Sequence, residues 1–329
     1  MGPVRRPVAT AGTLVSSDPG DTEAAWRPWN LCVTVDEPGT YGYHRRELTT
    51  PGLVLAVERF DARCRLRGLA TPEHLLLVVP LWAGPRTRYW GQSVGRTRLP
   101  AMHAGGVDWI IDRGQHHVLL RVARTLIRRH LDPDLQVALE QAANAHRIPL
   151  KANTFEPIGA KLLALIDAPA KGAQTWPASA LASLERDLLG QLVAAIDVAR
   201  LGQVKPDTSS RRAAIERALE HLRVTPLADV TIAQLAQVAG VSTRTLEYGF
   251  RDLFNLTPLG FLQLLRLHAV RRELKAPDSA GRRLQEIADH WGFHQPGRFS
   301  GYYREAFGER PSQTRAPQRR RDAQASEDP

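Results

Sequence analysis

Between Thr231 and Thr314 one pattern is written twice. The first copy sets Ile232, Ala233, Leu235 and Ala236 at helical spacing, then Gly240 and Val241, then a helix from Ser242 that carries Leu246 and Phe250. The second sets Leu284, Ile287, Ala288 and Trp291, then Gly292 and Phe293, then a helix that carries Phe299, Tyr302 and Tyr303. Apolar residues at three- and four-residue intervals, broken by a glycine and resumed, give a helical hairpin with a sharp turn. Doubling that hairpin restricts the stretch to a small all-α domain with two helix-turn-helix units, and makes duplex DNA the first partner to consider.

Charge points the same way. The chain of 329 residues carries a formal net charge of +10, and from Arg211 to Arg321 nineteen Arg and Lys stand against eleven Asp and Glu. A module that must sit against phosphates needs such an excess, although a solvated basic surface would show it too.

In the first unit Thr231 precedes Gln234 by three residues, a capping-box spacing that satisfies free amides at a helix start. Gly240 supplies the positive φ of the turn, and Ser242 caps the next helix. Leu235, Ala236, Val241, Leu246 and Phe250 then close a core, leaving Thr243, Arg244, Glu247 and Tyr248 outward at the end that enters a major groove. Arg244 can bond guanine and Glu247 can accept from a cytosine amino group. The second unit replaces the serine cap with a tighter turn at Gly292, and Pro296 suits the first turn of its helix. Its outward set is His294, Gln295, Gly297, Arg298, Gly301 and Arg304, which offers phosphate contacts more than base contacts.

Over residues 213–315 the chain resembles the AraC/XylS family of bacterial transcription regulators. Ile287, Ala288, Gly292, Phe293, Phe299, Phe307, Gly308, Pro311 and Ser312 fall on that family's signature, and Leu235, Ala236, Ser242, Leu246, Phe250, Pro258 and Arg266 match in the first unit. From Gly292 to Thr314, with His294, Gly297, Arg298, Phe299 and Tyr303, it is similar to the XylS-like branch. The resemblance implies two units joined by a long helix, Leu259 to Leu274, reading successive major-groove faces. Its contact positions fall on Arg244, Glu247 and Tyr248, and on Pro296, Gly297 and Gly301. It also implies an N-terminal domain, commonly a cupin-like barrel, that senses an effector or dimerises.

The N-terminal half reads as short strands. Leu31, Val33 and Val35 alternate up to a Glu37-Pro38-Gly39 turn, and Leu53–Val57, Leu75–Trp82, Trp109–Ile111 and Val118–Val122 follow between Pro/Gly breaks. Such strands argue for an antiparallel barrel or sandwich. The stretch 84–106 suits a half-buried hairpin, and Tyr89, Trp90 and Trp109 are the candidates for lining an effector pocket, with core packing as their alternative role. After residue 121 the period turns helical. Leu181, Leu184, Leu188, Leu189, Leu192 and Ile196 form a wide stripe, which packs across the barrel or pairs with a second subunit; dimerisation is the favoured expectation.

The expected fold is thus α+β, an N-terminal cupin-like antiparallel β-barrel with appended helices and a C-terminal all-α double helix-turn-helix domain. The boundaries are a disordered lead-in over 1–28, a sensory or dimerisation domain over 29–202, a linker over 203–212, the DNA-binding domain over 213–315 and a disordered tail over 316–329. No apolar run reaches the roughly eighteen residues of a membrane helix, and no leader is legible, so a cytoplasmic location is expected. Cys32 and Cys64 read as buried small hydrophobes.

Catalysis is not expected. His103, His116 and His117 with Asp108 and Asp112 are the metal candidates, yet adjacent histidines on a strand face opposite ways, so no metal is assigned. The sequence holds no phosphate loop and no serine nucleophile elbow, and no cofactor is expected. The reading is an effector-responsive transcription activator that binds promoter or operator DNA as a homodimer, contacts RNA polymerase and binds a small-molecule effector, with no membrane partner. The alternatives are a cupin-type metal-dependent enzyme with a DNA tether, and a regulator whose N-terminal domain only dimerises.

Overall fold

The computed structural model describes residues 10–37, 39–167, 177–204 and 210–315, and the chain divides into two compact units at Thr208/Ser209. The expected tail over 316–329 lies outside the described residues, as does 205–209 of the expected linker.

In the first unit the strands are β1 (Thr10–Ser16), β2 (Asn30–Val35), β3 (Tyr43–Thr49), β4 (Leu53–Phe60), β5 (Cys64–Ala70), β6 (His74–Trp82), β7 (Arg88–Tyr89), β8 (Gln92–Ser93), β9 (Arg98–Leu99), β10 (Ala101–Met102), β11 (Gly105–Ile111), β12 (His116–Ala123) and β13 (Ile148–Pro149). They make a six-stranded sheet in the order β1-β3-β4-β12-β6-β10 and a five-stranded sheet in the order β2-β5-β11-β7-β8, with β13 and β9 as a small third pair. All pairings are antiparallel. Among the described residues the barrel does not close: each large sheet keeps two edges, β1 and β10 in one, β2 and β8 in the other. The alternating pattern that suggested a barrel specifies only that one face of each strand is buried, and two stacked sheets meet that demand equally.

The larger sheet is covered on both sides, which explains its apolar runs. Leu53, Leu55 and Val57 of β4, Leu75, Leu77 and Val79 of β6, and Val118, Leu120 and Val122 of β12 face one core. Ala56, Phe60, Leu76, Val78 and Leu119 face the other, where they meet Leu31, Leu66, Val107, Trp109 and Ile111 of the smaller sheet. A period of two with apolar residues in both phases is how a central layer reads. The first core is completed by helices α1 to α6 other than the first: α1 (Pro19–Ala25) belongs to the N-terminal segment, while α2 (Arg124–His130), α3 (Pro133–Asn144), α4 (Phe155–Asp167), α5 (Ala178–Ala195) and α6 (Val198–Leu201) supply residues such as Leu126, Leu139, Leu162, Leu192 and Leu201.

Two expectations are corrected here. Residues 10–25 are not a disordered lead-in: β1 pairs with β3, and Asp18 caps α1 by accepting from the Gly20 amide at 2.8 Å, with Pro19 in the first turn. Trp26 and Trp29 anchor that segment, both buried, with the Trp26 ring centroid 5.3 Å from that of Trp109 and 5.7 Å from that of Trp29. The leucine stripe of α5 is also spoken for within its own chain. Leu188, Leu189, Leu192 and Ile196 are buried in the core on the outer side of the larger sheet, where α5 packs on α2 and α4, so those side chains are covered within their own chain.

Between the sheets lies a buried ion cluster. Tyr43 Oη donates to Glu58 Oε1 at 2.6 Å, His117 Nε2 lies 3.0 Å from Oε2, and the Arg45 guanidinium pairs with the same carboxylate. Burial alone would raise the Glu58 carboxyl, but Arg45, His117 and Tyr43 hold it down to about 2.

The second unit is helical: α7 (Ser210–Val224), α8 (Ile232–Ala239), α9 (Thr243–Phe254), α10 (Pro258–Lys275), α11 (Leu284–His290) and α12 (Pro296–Phe307), with one more helical turn over 311–315. Helix α7 begins at Ser210, inside the stretch read as linker.

Candidate nucleic-acid interface

The first helix pair is built by local chemistry. Thr231 Oγ1 accepts from the Gln234 amide at 3.2 Å while the Thr231 amide donates to Gln234 Oε1 at 2.8 Å, closing the capping box. Helix α8 stops at Gly240, whose φ of 68° is the left-handed turn. Ser242 Oγ then accepts from the Thr245 amide at 3.2 Å and starts α9. Leu246, Phe250 and Phe254 point inward and are fully buried, with Phe250 packed 5.5 Å from Phe261 of α10. Gly249 is required by the packing, because a Cβ there would fall 2.5 Å from Ile215 Cδ1 on α7.

What remains outside is the predicted reading face. Thr243, Arg244, Glu247 and Tyr248 are all exposed. Arg244 Nη2 donates to Tyr248 Oη at 3.2 Å and its Cζ lies 5.7 Å from that ring's centroid. One turn of helix therefore holds the guanidinium against an aromatic face, which restricts the rotamers of a side chain suited to bidentate bonding with guanine.

The second pair repeats the turn. Phe293 N donates to Ala288 O at 2.9 Å, as Val241 N donates to Ala236 O at 3.1 Å, and Gly292 adopts a φ of 82°. Its connection is not tighter, as expected from sequence, but two residues longer, since α11 ends at His290 and α12 begins at Pro296, whereas α8 ends at Ala239 and α9 begins at Thr243. Gln295, at the cap position, makes no side-chain capping bond. Ile287, Ala288, Phe299 and Tyr303 bury against Leu267, Val270 and Leu274 of α10. His294, Gln295, Arg298 and Arg304 are exposed, with His294 Nδ1 3.5 Å from Asp289. Each unit thus exposes four side chains, at the start of α9 in one, and in the other from the turn before α12 along to Arg304 in its last turn.

Arg266 on α10 ties the pairs together, a role the sequence reading did not assign. Its Nε donates to Leu227 O at 2.9 Å, and its Nη2 donates to Leu227, Ala228 and Val230 carbonyls at 2.6 to 3.1 Å. The same guanidinium lies beneath Gly292, where a Cβ would sit 3.1 Å from Cζ. The side chain thus joins the segment that leads into α8 to the turn between α11 and α12. Its place in the family pattern was the only signal in the sequence.

The effector candidates of the first unit pack on other side chains of that unit. Tyr89 and Trp109 are fully buried with centroids 5.0 Å apart. Tyr89 Oη accepts from Gln115 at 3.1 Å, and Trp90 stacks on His146 at 4.1 Å while its Nε1 donates to Gly106 O at 2.8 Å. The metal candidates are dispersed: His117 bonds Glu58, Asp108 pairs with Arg65 and Arg67, and Asp112 accepts from the Arg86 amide. Among the described residues no three His, Cys, Asp or Glu side chains group to hold a metal ion, and no helix is long and apolar enough to cross a membrane.

Comparison with known proteins bears on the second unit. A family model described as a helix-turn-helix domain matches residues 235–317. The chain is 36% identical over 115 residues to the probable thc operon regulatory protein of Rhodococcus erythropolis, a match covering 35% of this chain and 34% of that protein. It is 33% identical over 99 residues to XylDLEGF operon transcriptional activator 2 of Pseudomonas putida, covering 30% of this chain and 63% of that one. A solved structure from Chromobacterium violaceum, a transcriptional regulator with an AraC-type DNA-binding domain, is 25% identical and covers 32% of this chain and 91% of its own, with a TM-score of 0.29. The chain therefore spans about a third of the first relative's length and less than two thirds of the second's. Both of these relatives are named for the regulation of an operon.

Proposed function

We propose that this chain is an AraC/XylS-family regulator through its C-terminal helix-turn-helix domain, and that it binds promoter or operator DNA and activates transcription in response to a small effector. The observation that carries the DNA reading is the exposed face of α9. A capped helix start presents Arg244, Glu247 and Tyr248 with nothing of the second unit covering them. The face of α12, with His294, Gln295, Arg298 and Arg304, serves the same duplex by holding its backbone.

Titration of the full chain with genomic fragments, at several salt concentrations, tests this. Binding that weakens steeply with salt is expected, because each neutralised phosphate releases counterions. Binding that is absent, or indifferent to salt, overturns the reading.

We further propose that the first unit is the sensor and not an enzyme. Between its sheets the indole N–H groups of Trp26, Trp29 and Trp109 and the Nε of Arg121 are buried without an acceptor. Donors left so are costly, and an acceptor-bearing ligand would satisfy them. Of the three sequence candidates, this favours Trp109 over Tyr89 and Trp90. A panel of small carboxylic acids, scored by thermal shift of the chain and of Trp109→Phe, checks it, since a stabilising ligand must lose its effect in the variant. Homodimerisation and contact with RNA polymerase complete the proposal; sedimentation at increasing concentration tests the first.

A further inference from the structure

A sheet edge is a row of unpaired amides and carbonyls, and the first unit treats its edges unequally. Three of them are blunted. At β2 the Val33 amide donates to the Glu23 carboxylate of α1 at 3.0 Å, and Glu23 is itself buried. Strands β8 and β10 are two residues long, and Ala101 and Met102 of β10 are buried. The remaining edge, β1, is open. All seven of its residues pair with β3 on one side, and among the described residues the backbone of Thr10–Ser16 makes no other hydrogen bond. Its residues include neither a charge nor a proline, the usual devices that keep an edge apart, and Val15 is 66% exposed.

The order of side-chain sizes along β1 shows what fits it. Laid antiparallel to a second copy with Thr13 facing Thr13, the strand sets Ala11 against Val15, Gly12 against Leu14 and Thr10 against Ser16. This is the register that pairs every residue of the strand. Each large apolar side chain then meets a small one or none, on both sides of a twofold axis, and no like charges come together. A slip of one residue would turn the covered face of one copy toward the wrong side. Ala11 stands opposite Leu48 of β3, which packs with Leu181 of α5, so the second copy's Val15 prolongs an apolar strip already present.

We propose that a second copy of this chain covers β1, the two edges joining antiparallel about a twofold axis at Thr13 so that the six-stranded sheets of two protomers become one. The inference rests on the homodimer reading above and names its seam.

The full chain carrying Thr13→Cys tests it. Residues that face each other across antiparallel strands have Cα atoms about 4.5 to 5.5 Å apart, a separation a disulfide spans, and the native Cys32 and Cys64 are buried. Mild oxidation should convert most of this variant to a covalent dimer. Val15→Cys, which faces Ala11 and not itself, should give about a tenth as much. Thr13→Glu and Thr13→Lys, at an exposed position, should each raise the dimer dissociation constant about tenfold with an unchanged melting temperature, and mixing the two chains should restore dimers. A wild-type dimer whose Thr13→Cys variant does not cross-link, or whose Glu and Lys variants associate as the wild type does, overturns the seam and leaves the homodimer reading standing. A wild type that sediments as a monomer at every concentration overturns both.

Discussion

The two helix-turn-helix units share a backbone and differ in what they put on it. Both turn on a glycine at positive φ, both close the turn with the same five-residue amide bond, and both bury an alanine at that point, Ala236 in one and Ala288 in the other. Yet α9 starts with a serine cap and exposes Arg, Glu and Tyr, whereas α12 starts uncapped behind a longer connection and exposes glycines and arginines. The geometry of a motif is therefore set by its few buried and turn positions, while the division between reading a base and gripping a backbone is set independently by the exposed ones.

The largest test of this comparison removes what the units have in common. Arg266→Ala strips donors from three carbonyls and leaves them part-buried, so the helical unit should lose about 2 to 4 kcal/mol of stability. Chemical denaturation followed by circular dichroism would register the loss. Because the residue joins both pairs, binding through both should fall together. Arg266→Lys should not rescue it, since one ammonium cannot reproduce the planar fork.

Next come the exposed residues that separate the units. Arg244→Ala should cost about 1 to 3 kcal/mol of binding and relax preference at one base pair. Arg298→Ala should weaken all sequences alike and reduce only the salt slope. Selection of bound duplexes from a randomised library distinguishes the two outcomes. Equal loss of sequence preference in both variants would break the proposed division.

How much of this was legible beforehand follows from how local each feature is. Capping boxes, glycine turns and helical stripes are written within a few residues, so the helices Ile232–Ala239, Thr243–Phe254, Leu284–His290 and Pro296–Phe307 stand where the two copies of the pattern place them. The exposed faces followed from the same periods. The N-terminal segment departs from its reading because its Pro, Gly, Asp and Thr content suggests disorder, while its order comes from Trp26, packed on Trp29, meeting Trp109 far along the chain. Strand β3 was missed because His44, Arg45, Arg46 and Glu47 look like a solvated run, although Arg45 is buried against Glu58. The leucines of α5 read as a packing face or a dimer seam, with the seam favoured, because the sequence does not show what covers them. The clamp made by Arg266 spans more than thirty residues of sequence, beyond any local pattern.

Smaller effects probe how each reading helix begins. Ser242→Ala should cost about 1 kcal/mol, because the Thr245 amide loses its acceptor, whereas Gln295→Ala should be near neutral since Gln295 accepts no such bond. The converse change should help: Gln295→Ser offers α12 the cap that α9 already has, for a gain of about 0.5 kcal/mol or more. Paired thermal melts of these three chains would show it, and a destabilised Gln295→Ala would mean that the uncapped start is held by something other than its own side chain.

The smallest expected effect concerns a single hydroxyl. Tyr248→Phe removes the acceptor for Arg244 Nη2 but keeps the ring 5.7 Å from Cζ, so folding should be unchanged and binding should fall by well under 1 kcal/mol. Tyr248→Ala removes both restraints and should approach the loss seen for Arg244→Ala in specificity, while leaving the salt slope as it was. If the phenylalanine variant instead loses as much as the alanine one, Tyr248 is contacting the duplex through its own hydroxyl, and the first unit reads with one more side chain than the geometry of Arg244 requires.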